Sequence, residues 1–360
     1  MIKPMPRTVL LNPGPVNITD KVRKAMALPD LCHREKEFAD LMFSIRSKLL
    51  QAFKIEETFT SVLVSGSGTA ALEMAVSSSL TPGRSMLVIE NGVYGERIGK
   101  ICDVYNLDRH TIHLEWGTPP NLEDIENILK KHSDIEVVSL VHHETTTGLL
   151  NPLKGIGELA KKYGKIFLVD CISSLAGDEV DFASIDLAVG TANKCLQGVP
   201  GVSFVLTRKK DLDRLGKIPS RTLYFDLTGY HKAQEKGGLL FTPAIPAHYA
   251  LDVALDELIE ETVSGRIDRY AKAANFLREG FKNLNLEFLV PEGWRSNCLT
   301  GLKLPKGTGY EKLHKELKAN GFVIYAGQGN LSDSIFRIAN MGDIHPEEYQ
   351  RFLKVLGSVC

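Results

Sequence analysis

The stretch KIFLVDCISSLAGDEVDFASIDLAVGTANK, residues 165–194, contains two apolar runs that each lead to an ionisable side chain. The run 165–169 ends in Asp170, and the run 186–189 is followed by a short polar segment that contains Lys194. Short apolar runs bounded by turn residues are typical of buried strands. In mostly parallel sheets, ligands bind beyond the carboxyl ends of the strands. The stretch therefore predicts a ligand-binding edge that carries a carboxylate and an amine.

Outward from this stretch, apolar runs alternate with helical periodicity. Strands are predicted at 61–64, 85–90, 109–114, 137–141, 165–170, 186–189 and 202–206, and helices at 69–78, 95–105, 122–131 and 153–163. Such alternation predicts an α/β fold with a mostly parallel sheet covered by helices on both faces.

The length of 360 residues predicts more than one domain, since single cores stop growing at about 250–300 residues. We expect an N-terminal arm over 1–17, a large domain over 18–249 and a smaller α+β domain over 250–360. The smaller domain is expected to begin with a long helical region, 250–283, followed by short strands near 287–290, 299–302, 323–325 and 335–338.

Composition argues against several classes of partner. Lys plus Arg (43) nearly balances Asp plus Glu (44), leaving a formal charge of -1, so no global field attracts nucleic acid or anionic lipid. No apolar run reaches the ~18 residues needed to cross a membrane. The six cysteines are dispersed without a C-x-x-C pair, which favours reduced thiols and a cytoplasmic location. The histidines lack metal-site spacing, so we expect no metal.

A glycine-rich segment, SGSGTAA at 65–71, follows one predicted strand and opens a helix. Free N–H groups at the helix start, together with the hydroxyls of Ser67 and Thr69 and the small Gly68, suit a phosphate group. Two alternatives stay open at this point. The segment also fits a dinucleotide fingerprint with Glu90 as the ribose-binding acid, or a small-residue turn needed only for helix packing.

The three features together favour pyridoxal phosphate over a nicotinamide cofactor. Pyridoxal phosphate needs an amine to hold its aldehyde, an acid to keep its ring nitrogen protonated, and an anion site for its phosphate. Lys194, Asp170 and the segment 67–69 offer these groups. Asp170 alone could equally be a strand-end cap.

Arg337 stands out because it places a charge within an apolar run, 335–338. A buried guanidinium without a partner is costly, so it requires an anion. A bound substrate carboxylate, phosphate or phosphonate would suit its planar fork. An internal ion pair with Asp333 or Asp343 is the alternative.

Six motifs resemble, in order, those of the class V aminotransferases, a family of fold-type I pyridoxal-phosphate enzymes. They are NPGP (12–15), SGSG (65–68), NGVYGER (91–97), HETTTG (143–148), VD (169–170) and NK (193–194). The resemblance spans nearly the whole chain. It implies a fold-type I transferase that uses pyridoxal 5'-phosphate to exchange an amino group between an amino acid or aminophosphonate and a 2-oxo acid.

The resemblance also implies roles for individual residues. Tyr94 takes the place of the aromatic residue that stacks on the cofactor ring, and Thr145 that of the residue bonding the ring hydroxyl. Thr242 matches a threonine that reaches the phosphate of the neighbouring subunit, which implies a homodimer with shared active sites. The expected cofactor-binding residues are Ser67, Gly68, Thr69, Tyr94, Thr145, Asp170, Asn193, Lys194 and Thr242; Lys194 and Asp170 are also catalytic, and Gly14 and Arg337 bind substrate.

Within the class, residues 143–152 and 192–201 are most similar to transaminases that pair 2-aminoethylphosphonate with pyruvate. That reaction would give phosphonoacetaldehyde and L-alanine in a ping-pong cycle. Alanine–glyoxylate or serine–pyruvate transamination is the runner-up. A cysteine desulfurase using Cys298 is disfavoured, because Asn193 replaces the histidine that normally precedes the lysine in that group. A regulatory protein that binds the cofactor without catalysis is the remaining alternative.

Overall fold

Strands and helices alternate through most of the chain. The computed structural model describes residues 7–360, so residues 1–6 of the expected arm lie outside it. Up to residue 208 the elements are β1 (Val9–Leu10), α1 (Asp20–Ala25), α2 (Lys36–Phe53), β2 (Phe59–Gly66), α3 (Gly68–Ser79), β3 (Ser85–Glu90), α4 (Val93–Val104), β4 (Asp108–His113), α5 (Leu122–Lys131), β5 (Ile135–Val141), β6 (His143–Glu144), β7 (Leu149–Leu150), α6 (Leu153–Lys162), β8 (Ile166–Asp170), β9 (Leu187–Thr191) and β10 (Gly201–Arg208). The remaining elements are α7 (Leu212–Leu215), α8 (Leu227–Glu235), α9 (Ile245–Glu261), α10 (Val263–Asn283), β11 (Leu299–Lys303), α11 (Tyr310–Ala319), β12 (Phe322–Val323), β13 (Tyr325–Ala326), β14 (Ile335–Ala339) and α12 (Pro346–Val359).

The central sheet has seven strands in the order β2-β10-β9-β8-β5-β3-β4. The five strands from β9 to β4 run parallel, whereas β10 is antiparallel to both of its neighbours. The predicted fold class, a mostly parallel sheet in an α/β protein, is confirmed.

Successive side chains of each strand enter different cores, because strand residues alternate between the two faces of a sheet. In β8, Phe167 and Val169 belong to the core that also contains residues of α2, α5, α6 and α9. Leu168 belongs to the core on the other face, with α3, α4 and α8. Both faces of the sheet are therefore covered, which explains why its strands appear in the sequence as nearly continuous apolar runs.

The C-terminal part has its own sheet and core. Strands β11, β14 and β13 form an antiparallel sheet, and α10, α11 and α12 contribute to the third apolar core. Strand β1 pairs in parallel with β12, so the described part of the arm is joined to this region. The strand predicted at 287–290 is wrong: Phe288 forms only an isolated bridge with Leu302. Pro291 follows, and it has no backbone N–H with which to extend the pairing.

The expected domain boundary at residue 250 lies within a continuous helix, α9. This helix packs against α1 and α2, and its Leu251, Leu255 and Leu258 belong to the core beneath the central sheet. The helical region 250–283 is interrupted at Thr262, which has a φ of 66° and whose hydroxyl accepts from the Gly265 N–H at 3.1 Å. We propose that the domains divide at Thr262. Among residues 7–360, no helix is long and apolar enough to cross a membrane.

This assignment of α9 can be tested with Leu255→Ala. Leu255 is completely buried, and truncating such a leucine costs about 2–5 kcal/mol. We expect urea unfolding to show that loss. Glu260→Ala, on an exposed position of the same helix, should change the free energy of unfolding by less than about 0.5 kcal/mol. Equal, small effects would contradict the packing of α9 on the large domain.

Candidate active site

A cavity of about 170 Å³ lies beyond the carboxyl ends of β2, β5, β8 and β9. All of the predicted cofactor-binding residues except Thr242 line it. The lining residues are Ser67, Gly68, Thr69, Tyr94, Arg97, Val141, His143, Thr145, Asp170, Ile172, Ser173, Thr191, Asn193 and Lys194. The structure thus brings together, at the predicted edge of the sheet, groups that are up to 127 positions apart in the sequence (194 − 67).

One end of the cavity is the start of helix α3. Ser67 is the N-cap, and the helix begins at Gly68. A Cβ atom on Gly68 would lie 2.7 Å from Ile172 Cδ1, so a glycine here lets the helix start lie close to this wall without moving the Ile172 side chain. The first N–H groups of a helix lack partners within the helix and carry the positive end of its dipole. This end fits a phosphate group.

Asp170 is the last residue of β8 and is 3% exposed. Its Oδ1 accepts from the Ile172 N–H at 2.9 Å, and burial raises the pKa of the carboxyl to about 7. Among residues 7–360, Oδ2 has no hydrogen-bond partner. A buried carboxylate with a free oxygen on the cavity wall suits a protonated ring nitrogen, which would supply the missing hydrogen bond and the opposite charge.

Lys194 lies in the segment between β9 and β10. Its Nζ donates to the Pro13 carbonyl, and burial lowers its pKa to about 8. Gly14 does not line the cavity but adjoins this amine, since a Cβ atom there would lie 2.7 Å from Lys194 Nζ. Gly14 also has a φ of +101°, which other residues rarely adopt. The predicted arm therefore reaches the lysine.

Glu144, which the sequence analysis did not single out, anchors the helix that carries Tyr94. Its Oε2 accepts from the N–H groups of Tyr94 and Gly95, each at 3.1 Å. Oε1 accepts from the Thr146 hydroxyl at 2.6 Å. Burial raises the pKa of this carboxyl, while the hydrogen bonds oppose that shift. Glu144 thus caps α4 from another part of the chain and fixes the position of Tyr94.

Arg337 is buried in β14 beside the cavity wall. Its Nε donates to Ala326 O at 2.9 Å, and Nη1 donates to Thr145 O at 2.8 Å and to Gln328 Oε1 at 3.1 Å. No carboxylate among the described residues forms an ion pair with it. The predicted alternatives Asp333 and Asp343 are not its partners.

Asp343, one of the two predicted partners of Arg337, is paired elsewhere: its carboxylate lies 3.8 Å from the Arg7 guanidinium. The acceptors around Arg337 are all neutral, and burial lowers the pKa of its guanidinium, although Glu144 opposes that shift electrostatically. The guanidinium therefore meets the main condition for an anion-binding group.

Thr242 is an exposed residue of the segment between α8 and α9. It does not line the cavity of its own chain. The expectation that it reaches the site of a neighbouring subunit stays a prediction.

Cys298 is completely buried and does not line the cavity. Its Sγ lies 3.5 Å from that of Cys195, and burial raises its pKa. A thiol nucleophile needs access and a lowered pKa. The surroundings of Cys298 therefore argue against the desulfurase alternative.

Four polar lining residues were not predicted: Arg97, His143, Ser173 and Thr191. His143 is buried, its Nδ1 is 3.3 Å from Ser173 O, and burial lowers its pKa to about 3. It is therefore neutral at physiological pH. Arg97 and His143 both lie in motifs that carried the family resemblance, so their presence in the motifs was the available signal.

Potential metal ligands occur away from this cavity. Among residues 7–360, His110, His132 and Asp134 are one group whose ligand atoms lie within 4.8 Å of one another. They lie near the amino ends of β4 and β5, at the opposite edge of the sheet. The expectation that the protein holds no metal stays a prediction, and this group is where the described residues could hold one.

The fold and the donor groups around the cavity define a pyridoxal-phosphate enzyme. The family model for aminotransferase class-V matches residues 20–331, and the chain belongs to this family. Its cofactor is pyridoxal 5'-phosphate, and it is a transaminase.

Similar proteins agree with this assignment. The chain is 36% identical over 352 residues to a 2-aminoethylphosphonate–pyruvate transaminase of Bacillus cereus, covering 96% of each protein. It is 36% identical over 342 residues to an uncharacterized aminotransferase of Methanocaldococcus jannaschii, covering 93% of this chain and 88% of that one. A crystal structure of alanine–glyoxylate aminotransferase from Nostoc superposes with a TM-score of 0.94 at 28% identity, covering 100% of this chain and 97% of the other.

The lowered pKa of Lys194 predicts a pH dependence. Only the neutral amine attacks an aldehyde, and the neutral fraction increases as pH rises through the pKa. We expect the rate of cofactor incorporation into cofactor-free protein, followed by visible absorbance, to rise with a midpoint near 8. A midpoint near 10.5, the ordinary value for lysine, would contradict the effect of burial. Lys194→Ala should abolish the pH-dependent phase.

Proposed function

We propose that this aminotransferase transfers the amino group of 2-aminoethylphosphonate to pyruvate, giving phosphonoacetaldehyde and L-alanine in a ping-pong cycle. Near full-length similarity to the Bacillus cereus protein of that name supports the proposal. While the named relative carries the choice of the phosphonate, the structural observation that carries the choice of acidic substrates is Arg337, a buried guanidinium whose acceptors are all neutral. Such a group favours substrates that bring their own negative charge.

One arginine can serve both half-reactions. A phosphonate and a carboxylate each present oxygen pairs that match the guanidinium fork. The contacts from Ala326 O, Thr145 O and Gln328 Oε1 orient the group without neutralising it. Arg337 would therefore bind the phosphonate of the amino donor and then the carboxylate of the oxo acid. Gly14, beside the lysine, would leave room for either substrate.

We infer the following roles at the cofactor. The start of α3, with Ser67, Gly68 and Thr69, would hold the phosphate. Asp170 would keep the ring nitrogen protonated. Tyr94 would pack on the ring and Thr145 would bond its hydroxyl, while Asn193, whose Oδ1 accepts from Thr191 Oγ1 at 3.1 Å, would border the cofactor beside Lys194. When bound, pyridoxal phosphate withdraws electrons from the substrate carbon that bears the amino group.

Lys194 would hold the cofactor before substrate arrives and then transfer the proton. Its Nζ, neutral above a pKa of about 8, could accept the proton lost from the amine-bearing carbon of the donor and pass it to the cofactor. In the second half-reaction it would deliver a proton to the carbon that becomes C2 of L-alanine. Burial keeps solvent from competing for that proton. Arg97 and Asp170 contribute opposite charges around the amine.

Alanine–glyoxylate transamination is the second candidate. It is favoured by the superposition on the Nostoc enzyme, with a TM-score of 0.94. In that reaction Arg337 of this chain would bind a carboxylate in both half-reactions, so the geometry of Arg337 alone is compatible with either reaction.

We further propose a cytoplasmic homodimer with shared active sites. Leu223, Tyr224 and Leu240 expose 84%, 36% and 42% of their surface, and they lie in the same part of the chain as the exposed Thr242. Exposed apolar side chains of this kind suit a subunit interface. Six free cysteines, four of them buried, suit a reducing compartment.

The substrate assignment is tested with single half-reactions. We expect 2-aminoethylphosphonate to change the absorbance of the bound cofactor rapidly, with ethylamine, which lacks the phosphonate, about ten- to a hundredfold weaker in kcat/KM. Alanine should also react, because it is the product of the pyruvate half-reaction. No response to 2-aminoethylphosphonate, with a response to alanine or serine and recovery by glyoxylate, would establish the second candidate.

Arg337 is tested by substitution. Arg337→Ala should lower kcat/KM for 2-aminoethylphosphonate and for pyruvate by about ten- to a hundredfold each, because both lose a charged hydrogen bond. Arg337→Lys should recover only part, since an ammonium cannot form the fork. Arg351→Ala is the control, because it removes an exposed arginine of α12 that does not line the cavity. It should leave kcat/KM for both substrates unchanged. A large fall in melting temperature with unchanged kcat/KM per folded molecule would show a purely structural role.

A further inference from the structure

Arg97 brings a second guanidinium to the cavity, at the end formed by α3. It lies in the second turn of α4, and its Nη1 donates to Thr69 Oγ1 at 3.1 Å. Its guanidinium carbon lies 4.6 Å from the centroid of the Tyr94 ring. Arg97 thus touches both the helix start expected to hold a phosphate and the aromatic ring expected to pack on the cofactor.

The charge of Arg97 is not balanced by an ion pair. The two acidic side chains of α4 interact with residues other than Arg97. Glu96 accepts from Trp116 Nε1 at 2.8 Å, and Asp103 forms an ion pair with Arg109. Asp170 is near enough to interact electrostatically with Arg97, but the two form no hydrogen bond. Among the residues from 7 onward, no carboxylate lies within ion-pair distance of this guanidinium. A partly buried cation beside a helix N-terminus favours an anion in the same place.

Neutral donors alone would leave much of a phosphate dianion uncompensated. The α3 start contributes N–H groups, the Ser67 and Thr69 hydroxyls, and a partial dipole charge. The Lys194 amine donates instead to Pro13 O, and Pro13 does not line the cavity. Arg97 is therefore the full positive charge adjacent to the helix start, and its hydrogen bond to Thr69 holds it there.

We propose that Arg97 is the countercharge for the phosphate group of the cofactor, a role that rests on the cofactor site but not on the choice of substrate. The stacking on Tyr94 suggests a different role, in which Arg97 only holds that ring in place. The two roles predict different effects of an Arg97 substitution on the binding of a cofactor that lacks its phosphate. A phosphate countercharge would leave that binding nearly unchanged, whereas support of the Tyr94 ring would make it weaker.

The experiment compares pyridoxal phosphate with pyridoxal, the same aldehyde without the phosphate. The full-length protein is freed of cofactor and titrated with each compound, and binding is followed by absorbance. For Arg97→Gln we expect the Kd for pyridoxal phosphate to rise about ten- to a hundredfold, the loss of one charged hydrogen bond. The Kd for pyridoxal should change less than about twofold. Arg97→Lys should lie between, because the charge is kept without the fork.

Lys100→Gln is the matched control, because it removes an exposed cation from the same helix three residues further on. It should leave both Kd values unchanged. Equal weakening of both aldehydes by Arg97→Gln would overturn the proposal in favour of support for Tyr94, and no weakening of either would also overturn it. These outcomes are independent of the substrate tests: a protein that rejects 2-aminoethylphosphonate could still show the phosphate-dependent loss.

Discussion

Loss of hydration governs the chemistry of this site. Asp170 and Lys194 are both removed from water, and because burial disfavours the charged form of each, the pKa of the acid rises to about 7 while that of the amine falls to about 8. Near neutral pH, each group is therefore close to the point at which a proton moves at little cost. Burial also favours the binding of a protonated ring nitrogen. Without a nearby cation, burial disfavours the ionised form of Asp170, and a cation beside it would stabilise that form again.

The topology of the sheet creates this environment. Strands β8 and β9 are parallel neighbours, with Asp170 paired to Val189, so the carboxylate and the segment leading to Lys194 leave the sheet at the same edge. Helix α3 starts at that edge because it follows β2, and Gly68 lets it approach Ile172. Rigid strands thus place the acid and the lysine, while a helix start supplies the anion site. Groups held in this way need little reorganisation when a ligand binds.

The sequence was sufficient for features that depend on neighbours along the chain. Strands buried on both faces appeared as apolar runs, and the helix predicted at 122–131 has the observed bounds. The segment 287–290 was predicted as a strand because it is apolar, but its residues pack with only one isolated bridge, between Phe288 and Leu302. The role of Glu144 could not be predicted, since it caps α4 from about 50 positions away. Arg97 was missed for a related reason: a charged residue on a helix is usually solvated, and only the fold turns it toward Thr69.

Arg97 and Arg337 share an arrangement that bears on selectivity. Each guanidinium is oriented by neutral groups rather than carboxylates: a hydroxyl and an aromatic ring for Arg97, carbonyl and amide oxygens for Arg337. A carboxylate partner would have fixed the side chain more strongly but would have competed with an incoming anion. Neutral acceptors leave the guanidinium charge free to bind an incoming anion. A buried charge without an ion-pair partner makes the empty site less stable, and the bound anion offsets that cost. In the proposed roles, Arg97 in α4 would bind the cofactor phosphate and Arg337 in β14 the substrate acid, so the two anions would be bound separately and neither would displace the other.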